Sequence, residues 1–112
     1  MSFLFGPKVE EADVRATSAE LADAGGDAIL VDVREPHEWR AGHVAEARHI
    51  PLQQLPEQLA SLPRETPVYL ICRSGNRSGH AAAYLKQAGF ERPINVKGGM
   101  IAWERAGLPI ER

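Results

Sequence analysis

At 112 residues the chain has room for one domain with one hydrophobic core, and its 44% apolar and 25% charged residues are ordinary for a soluble globular protein. A formal net charge of -2 gives no reason to expect nucleic acid or an anionic membrane as partner. No stretch approaches the ~20 apolar residues needed to span a bilayer, and Met1-Ser2-Phe3-Leu4-Phe5 is too short an apolar run for a secretory leader.

Residues 1–13 read as a loose N-terminal arm, because Glu10, Glu11 and Asp13 interrupt the few apolar positions, and 14–112 as a single domain. Val14-Arg15-Ala16 suits a short first strand. Thr17-Ser18-Ala19-Glu20 has the form of a capping box, with Leu21, Ala22 and Ala24 continuing the helix and Gly25-Gly26 stopping it. Ala28-Ile29-Leu30-Val31 is a continuous apolar run, typical of a parallel strand covered on both faces, and it ends in Asp32-Val33-Arg34. Glu35-Pro36 opens a short helix that Gly42 ends. Arg48-His49-Ile50 is a brief strand. Leu52, Leu55, Leu59 and Leu62 recur at helical spacing and mark one buried stripe, with Pro63 beyond its end.

Pro67-Val68-Tyr69-Leu70-Ile71 reads as the central strand, and it leads into Cys72-Arg73-Ser74-Gly75-Asn76-Arg77-Ser78. A helical pattern starts near Ser78, shows its face at Ala81, Ala82, Leu85 and Ala88, and is capped by Gly89. Ile94-Asn95-Val96 is the last strand, and Gly98-Gly99 turns into a helix over Met100–Ala106 that Gly107 and Pro109 end. Strands alternate with helices throughout, which predicts a three-layer α/β/α fold with a central parallel sheet. Ligands in such folds bind outside the carboxyl ends of the strands.

The loop at 72–78 stands at such an end. A strand that stops, a short polar loop with Gly, and a helix that starts make an anion cradle from inward-turned N–H groups and the helix N-terminus. Arg73 and Arg77 add full charges. Cys72, at the lip of the cradle, is expected to be largely thiolate and to act as a nucleophile. The bland alternatives are a small buried hydrophobe and a solvated turn. Arg, Ser, Gly, Asn, Arg and Ser are poor company for a buried thiol, and a simple turn leaves two arginines at a strand–helix junction unexplained. Cys72 is the only cysteine, so an internal disulfide is impossible and a reducing cytoplasm is the expected setting. His37, His43, His49 and His80 match no zinc spacing, and no metal or cofactor is expected. His43 reads as structural, His37 and His49 as surface. His80, in the first turn after the loop, faces either pocket or solvent. Trp39 and Trp103 read as core or pocket wall.

Cys72-Arg73-Ser74-Gly75-Asn76-Arg77-Ser78 resembles the active-site loop of single-domain rhodaneses, the thiosulfate and persulfide sulfurtransferases. Val31-Asp32-Val33-Arg34-Glu35-Pro36-His37-Glu38-Trp39, Gly42-His43-Val44, Ile50-Pro51-Leu52 and Val96-Lys97-Gly98-Gly99-Met100-Ile101-Ala102-Trp103 carry the resemblance from about Ala16 to Pro109. One departure is Ala45-Glu46-Ala47, where the family has Pro-Gly-Ala. The resemblance implies a five-stranded parallel sheet of order 1-5-4-2-3 and a Cys72 persulfide intermediate. It also implies that Asp32 and Arg34 brace the active-site loop. Arg73 is the candidate grip for the sulfur donor, Arg77 either shares that grip or ties down the loop, and Ser74 and Ser78 would hydrogen-bond the sulfur or close the loop, with the N–H groups of residues 73–77, Gly75 and Asn76 among them, holding the anion. Thiosulfate or a persulfide is the implied donor. Cyanide, glutathione, thioredoxin or a sulfur-carrier protein is the implied acceptor.

Two other functions compete. Cysteine-dependent phosphatases and arsenate reductases space Cys and Arg by five residues. Here four separate Cys72 from Arg77, and Ser78 takes the phosphatase arginine position. Non-catalytic rhodanese-like binding modules usually lack the cysteine, which this chain keeps.

Overall fold

A computed structural model describes residues 9–23 and 25–112. The strands are β1 (Glu10–Ala12), β2 (Ile29–Asp32), β3 (Arg48–His49), β4 (Val68–Ile71) and β5 (Pro93–Val96), and the α-helices are α1 (Val14–Ala22), α2 (Pro36–Ala41), α3 (Asn76–Gln87) and α4 (Gly99–Arg105). A 3-10 helix, Leu52–Ser61, connects β3 to β4. All five strands run parallel in the order β1-β5-β4-β2-β3, as the resemblance implies.

Side chains alternate across a strand, and β4 divides the core accordingly. Val68 and Leu70 face one layer with Cys72, packed with Ala81, Ala82 and Leu85 of α3 and Leu55 of the 3-10 helix. Tyr69 and Ile71 face the other layer, with Val14 of α1 and Met100 and Trp103 of α4. Every residue of β4 is buried, which accounts for its unbroken apolar run. The cysteine that continues this strand therefore points into the α3 layer, beneath the helix that follows it.

Three local readings change. The first strand is Glu10–Ala12 and not Val14–Ala16, so part of the expected arm is in the sheet, where Glu11 pairs in register with Asn95. The first helix starts at Val14 because Asp13 caps it, its carboxylate accepting from the Ala16 N–H at 2.8 Å. Thr17 is thus inside the helix, its hydroxyl donating to the Asp13 carbonyl at 2.8 Å. The Leu52–Ser61 stripe winds as a 3-10 helix with Pro56 inside it. Residues 1–8 of the arm and Ala24 lie outside the described residues. At Ala45-Glu46-Ala47 a turn forms without Pro-Gly, closed by the Ala47 N–H on the Val44 carbonyl at 3.0 Å.

Candidate active site

Cys72 leaves β4 and the chain turns at once into α3, which begins at Asn76. Gly75 makes the turn in a left-handed conformation, φ 103°. That turn brings the Gly75 N–H to 3.1 Å and the Ser78 N–H to 3.3 Å from the Cys72 sulfur, and the Ser78 hydroxyl to 3.2 Å. Burial pushes the thiol up. Hydrogen bonds from the Ser78 hydroxyl and the N–H groups of Ser78, Gly75 and Ser74 outweigh that, and the thiol titrates below the ordinary cysteine value. The cradle is therefore real, but the sulfur is deeper than a lip: Cys72 is 1% exposed. Both expectations about burial hold part of the truth, since the thiol joins the apolar core on one side and meets inward-pointing amides on the other.

The other loop residues divide by exposure. Arg73, Ser74 and Asn76 are exposed, and their side chains make no hydrogen bond among the described residues. Arg77 does not reach over the cradle. Its guanidinium makes a two-pronged pair with Glu38 of α2, Nη1 to Oε1 at 2.8 Å and Nη2 to Oε2 at 2.9 Å. That pairing holds the Glu38 carboxyl down at about 2. Of the sequence's two roles for Arg77, the geometry matches tying down the loop. Ser78 is fully buried. His80 is exposed.

Asp32 and Arg34 are placed side by side at the end of β2. The pair is buried, not on the surface, with Arg34 Nη2 at 2.7 Å and Nε at 2.9 Å from the Asp32 carboxylate. Arg34 Nη2 also donates to the Gly42 carbonyl at 2.8 Å. Their direct hydrogen bonds thus clamp the two ends of α2, and among the described residues none reaches residues 73–78. Their link to the cradle runs through α2, because α2 carries Glu38. The turn after α2 is fastened in addition by His43, whose Nδ1 lies 2.8 Å from the Trp39 carbonyl. The Trp39 ring is sandwiched between His43 and His49, and His49 Nε2 lies 2.8 Å from the Arg34 carbonyl, so His49 is built into this corner instead of lying free on the surface. Trp103 is core, its Nε1 donating to the Pro109 carbonyl at 3.0 Å.

Three contributors escape a reading of the sequence. Glu38 is one. The second is Gly99, at the start of α4. The N–H groups of Met100 and Ile101 donate to the Cys72 and Arg73 carbonyls at 2.8 and 3.1 Å, so the N-terminus of α4 grips the backbone of the cradle. A Cβ on Gly99 would lie 2.4 Å from the Cys72 carbonyl oxygen, so only glycine permits this approach. The third is Asn95, a buried polar residue in an otherwise apolar strand, which contacts both Ser78 and Gly75. Its polar side chain between Ile94 and Val96 was the one available signal.

Beside the cradle lies a cleft of about 350 Å³ lined by Arg34, His37, Glu38, Ala41, Gly42, Arg73 and Glu104. Arg73 is the residue of the sulfur-holding loop that lines this cleft. The arrangement can do one thing well: stabilise negative charge on a buried sulfur, with the exposed Arg73 next to it in the loop.

The family model described as Rhodanese-like domain matches residues 15–106. A sulfurtransferase of Allochromatium vinosum is 43% identical over 91% of this chain and 94% of its own length. The thiosulfate sulfurtransferase GlpE of Vibrio cholerae is 37% identical over 88% of this chain and 92% of its own. Some relatives are longer: the chain spans 45% of one from Synechocystis and 60% of one from Bacillus subtilis. Among solved structures, a rhodanese-like domain protein from Staphylococcus aureus superposes with a TM-score of 0.81 at 30% identity, covering 93% of this chain and 100% of that one.

Proposed function

The chain belongs to the rhodanese-like domain family, and from that membership we propose that it is a sulfurtransferase that carries a sulfane sulfur as a persulfide on Cys72. The supporting observation is the sulfur's surroundings: N–H groups of Gly75 and Ser78 and a hydroxyl converge on a single atom from within hydrogen-bond range.

In the reaction the Cys72 thiolate attacks the outer sulfur of thiosulfate. The donor's S–S bond breaks, sulfite leaves with its electron pair, and Cys72 carries the persulfide anion. Cyanide or a thiolate then attacks the terminal sulfur, and the Cys72 thiolate leaves. No general base is needed, because the thiol is already held below its ordinary value. Negative charge is conserved through both steps, so preorganised amides serve thiolate and persulfide alike. Arg73 is the candidate grip for an anionic donor, being exposed at the cleft beside the cradle. Arg77 is committed to Glu38 and positions the loop. Ser74 and Asn76 are exposed on the same loop, within reach of a donor, and Asp32 with Arg34 brace the helix that carries Glu38. We place the protein in the cytoplasm on the strength of its single thiol, which suits a reducing compartment. A protein persulfide is the alternative donor. Thioredoxin, glutathione or a sulfur-carrier protein is the alternative acceptor.

A phosphatase or arsenate reductase fits less well. The position of its arginine is held by Ser78, whose hydroxyl sits on the sulfur. A binding module needs no amides aimed at a thiol. The test is turnover of thiosulfate with cyanide, run against an aryl phosphate and with Cys72→Ser. Thiocyanate formation lost in the variant supports the reading. Phosphate release comparable to thiocyanate release overturns it.

A further inference from the structure

The Ser78 hydroxyl has one proton and two acceptors. Its oxygen lies 3.2 Å from the Cys72 sulfur and 2.6 Å from Asn95 Oδ1. The orientation of Asn95 follows from its other side, where Nδ2 faces the Gly75 carbonyl at 3.0 Å and the Glu11 carboxylate at 3.1 Å. Both of those groups accept only, so the amide nitrogen belongs there and the amide oxygen must face Ser78. An oxygen opposite an oxygen at that short distance requires a proton between them, and only Ser78 has one to give. With the proton on Asn95, Ser78 turns lone pairs toward the sulfur. That suits a neutral thiol, which donates its own S–H, and it opposes a thiolate.

We propose that Asn95 is a positioning residue that sets which group the Ser78 hydroxyl serves, holding its proton off the Cys72 sulfur until that sulfur is anionic. On ionisation the hydroxyl rotates to the sulfur, gives up its bond to Asn95, and the two oxygens, no longer sharing a proton, draw apart. The thiolate is therefore stabilised by the hydroxyl only net of that loss, and it keeps more nucleophilicity than a fully bonded sulfur would. Glu11, on the edge strand, and the Gly75 carbonyl stop the amide from flipping to release the proton earlier.

The other charges around the sulfur do not substitute for this control. Arg77 of α3 acts on it through space and is itself paired with Glu38 of α2. Asp32 and Arg34 of the β2 end neutralise each other. Gly98 and, from α4, Gly99, Met100 and Ile101 meet the loop backbone and do not titrate, while Glu104 of α4 shares the cleft with Arg73. Arg73 is exposed.

The inference rests on Cys72 being the reacting sulfur, but its test does not require sulfur transfer. The thiol titration is followed through the pH dependence of iodoacetamide alkylation in the wild type, Asn95→Ala, Ser78→Ala and the double variant. Ser78→Ala is expected to raise the thiol titration by about half to one pH unit more in the Asn95→Ala background than in the native one, the size of one partly released charge-assisted hydrogen bond. The limiting alkylation rate of Asn95→Ala at high pH is expected to fall about two- to threefold, following the lower basicity of its sulfur. A purely structural Asn95 gives the same Ser78 effect in both backgrounds. An equal or smaller effect in the Asn95→Ala background overturns the proposal. Asn95→Leu, which keeps the branched outline of Asn without its polar atoms, repeats the cycle if the alanine variant does not fold. A protein that shows this coupling and never takes up sulfur would overturn the proposed function and leave the role of Asn95 standing.

Discussion

Gly99→Ala separates two costs that usually come together. Gly99 and Gly107 both have left-handed backbone, φ 57° and 73°. A Cβ at Gly107 meets nothing within 4 Å, whereas at Gly99 it would lie 2.4 Å from the Cys72 carbonyl oxygen and 2.5 Å from that of Arg73. Gly107→Ala therefore carries only the conformational cost, about 1–2 kcal/mol. Gly99→Ala adds an overlap with rigid backbone, typically ~1–3 kcal/mol. It also strains the two N–H donations from Met100 and Ile101 to the loop, worth about 1 kcal/mol each. The expected total is about 4–7 kcal/mol if both bonds are lost, with a displaced cradle in place of some of it. Urea denaturation of both variants measures the first, and the pH dependence of Cys72 alkylation measures the second, since a displaced cradle loses amide donors and raises the thiol. If Gly99→Ala costs no more than Gly107→Ala and leaves the thiol titration unchanged, α4 does not hold the loop.

Glu38→Gln keeps the shape of the Arg77 contact and removes its charge. Because the Glu38 carboxyl is held at about 2, below its ordinary range, the stability from the pair is complete above that range and is lost as pH falls toward about 2. The unfolding free energy from urea titration at neutral pH is expected to drop by roughly 1 kcal/mol, the pair being partly exposed. The gap between wild type and variant is expected to close in acid, and an equal gap at both pH values would contradict the pairing. Asp32→Ala leaves the Arg34 guanidinium buried without its partner, which costs on the order of 3–5 kcal/mol. Thermal melts and transfer assays are expected to fall together, and unchanged values in both would end the bracing role. Arg73→Ala is expected to raise the KM for thiosulfate about tenfold with little change in kcat, as loss of one charge-assisted contact made equally in ground and transition states. A kcat loss at constant KM would place Arg73 in the chemistry instead.

The strands and helices that carry the core were legible because burial on both faces leaves an unbroken apolar run, as in β2 and β4. The edge strand was not. Glu10-Glu11-Ala12 joins the sheet through backbone pairing with β5 and has two exposed glutamates, so no apolar pattern marks it. Val14 drew the strand away from it, and Thr17 with Glu20 imitated a helix start that Asp13 in fact makes. In the site, Cys72, Gly75 and Ser78 were visible because a strand, a polar Gly-containing loop and a helix follow one another directly. Glu38, Asn95 and Gly99 were not, because each acts on the loop from a different element. Pairing of β5 with β4 brings Asn95 near, the start of α4 behind the loop brings Gly99, and α2 brings Glu38. Arg77 showed the limit of motif reading: the sequence placed its charge beside the sulfur, and the geometry turns it toward α2.

Intact-mass measurement after thiosulfate treatment tests the central claim most directly. The account predicts one added sulfur on the wild type, removed by cyanide and absent from Cys72→Ser. A protein that stays at its unmodified mass under those conditions, or a Cys72→Ser variant that still gains the sulfur, would contradict it.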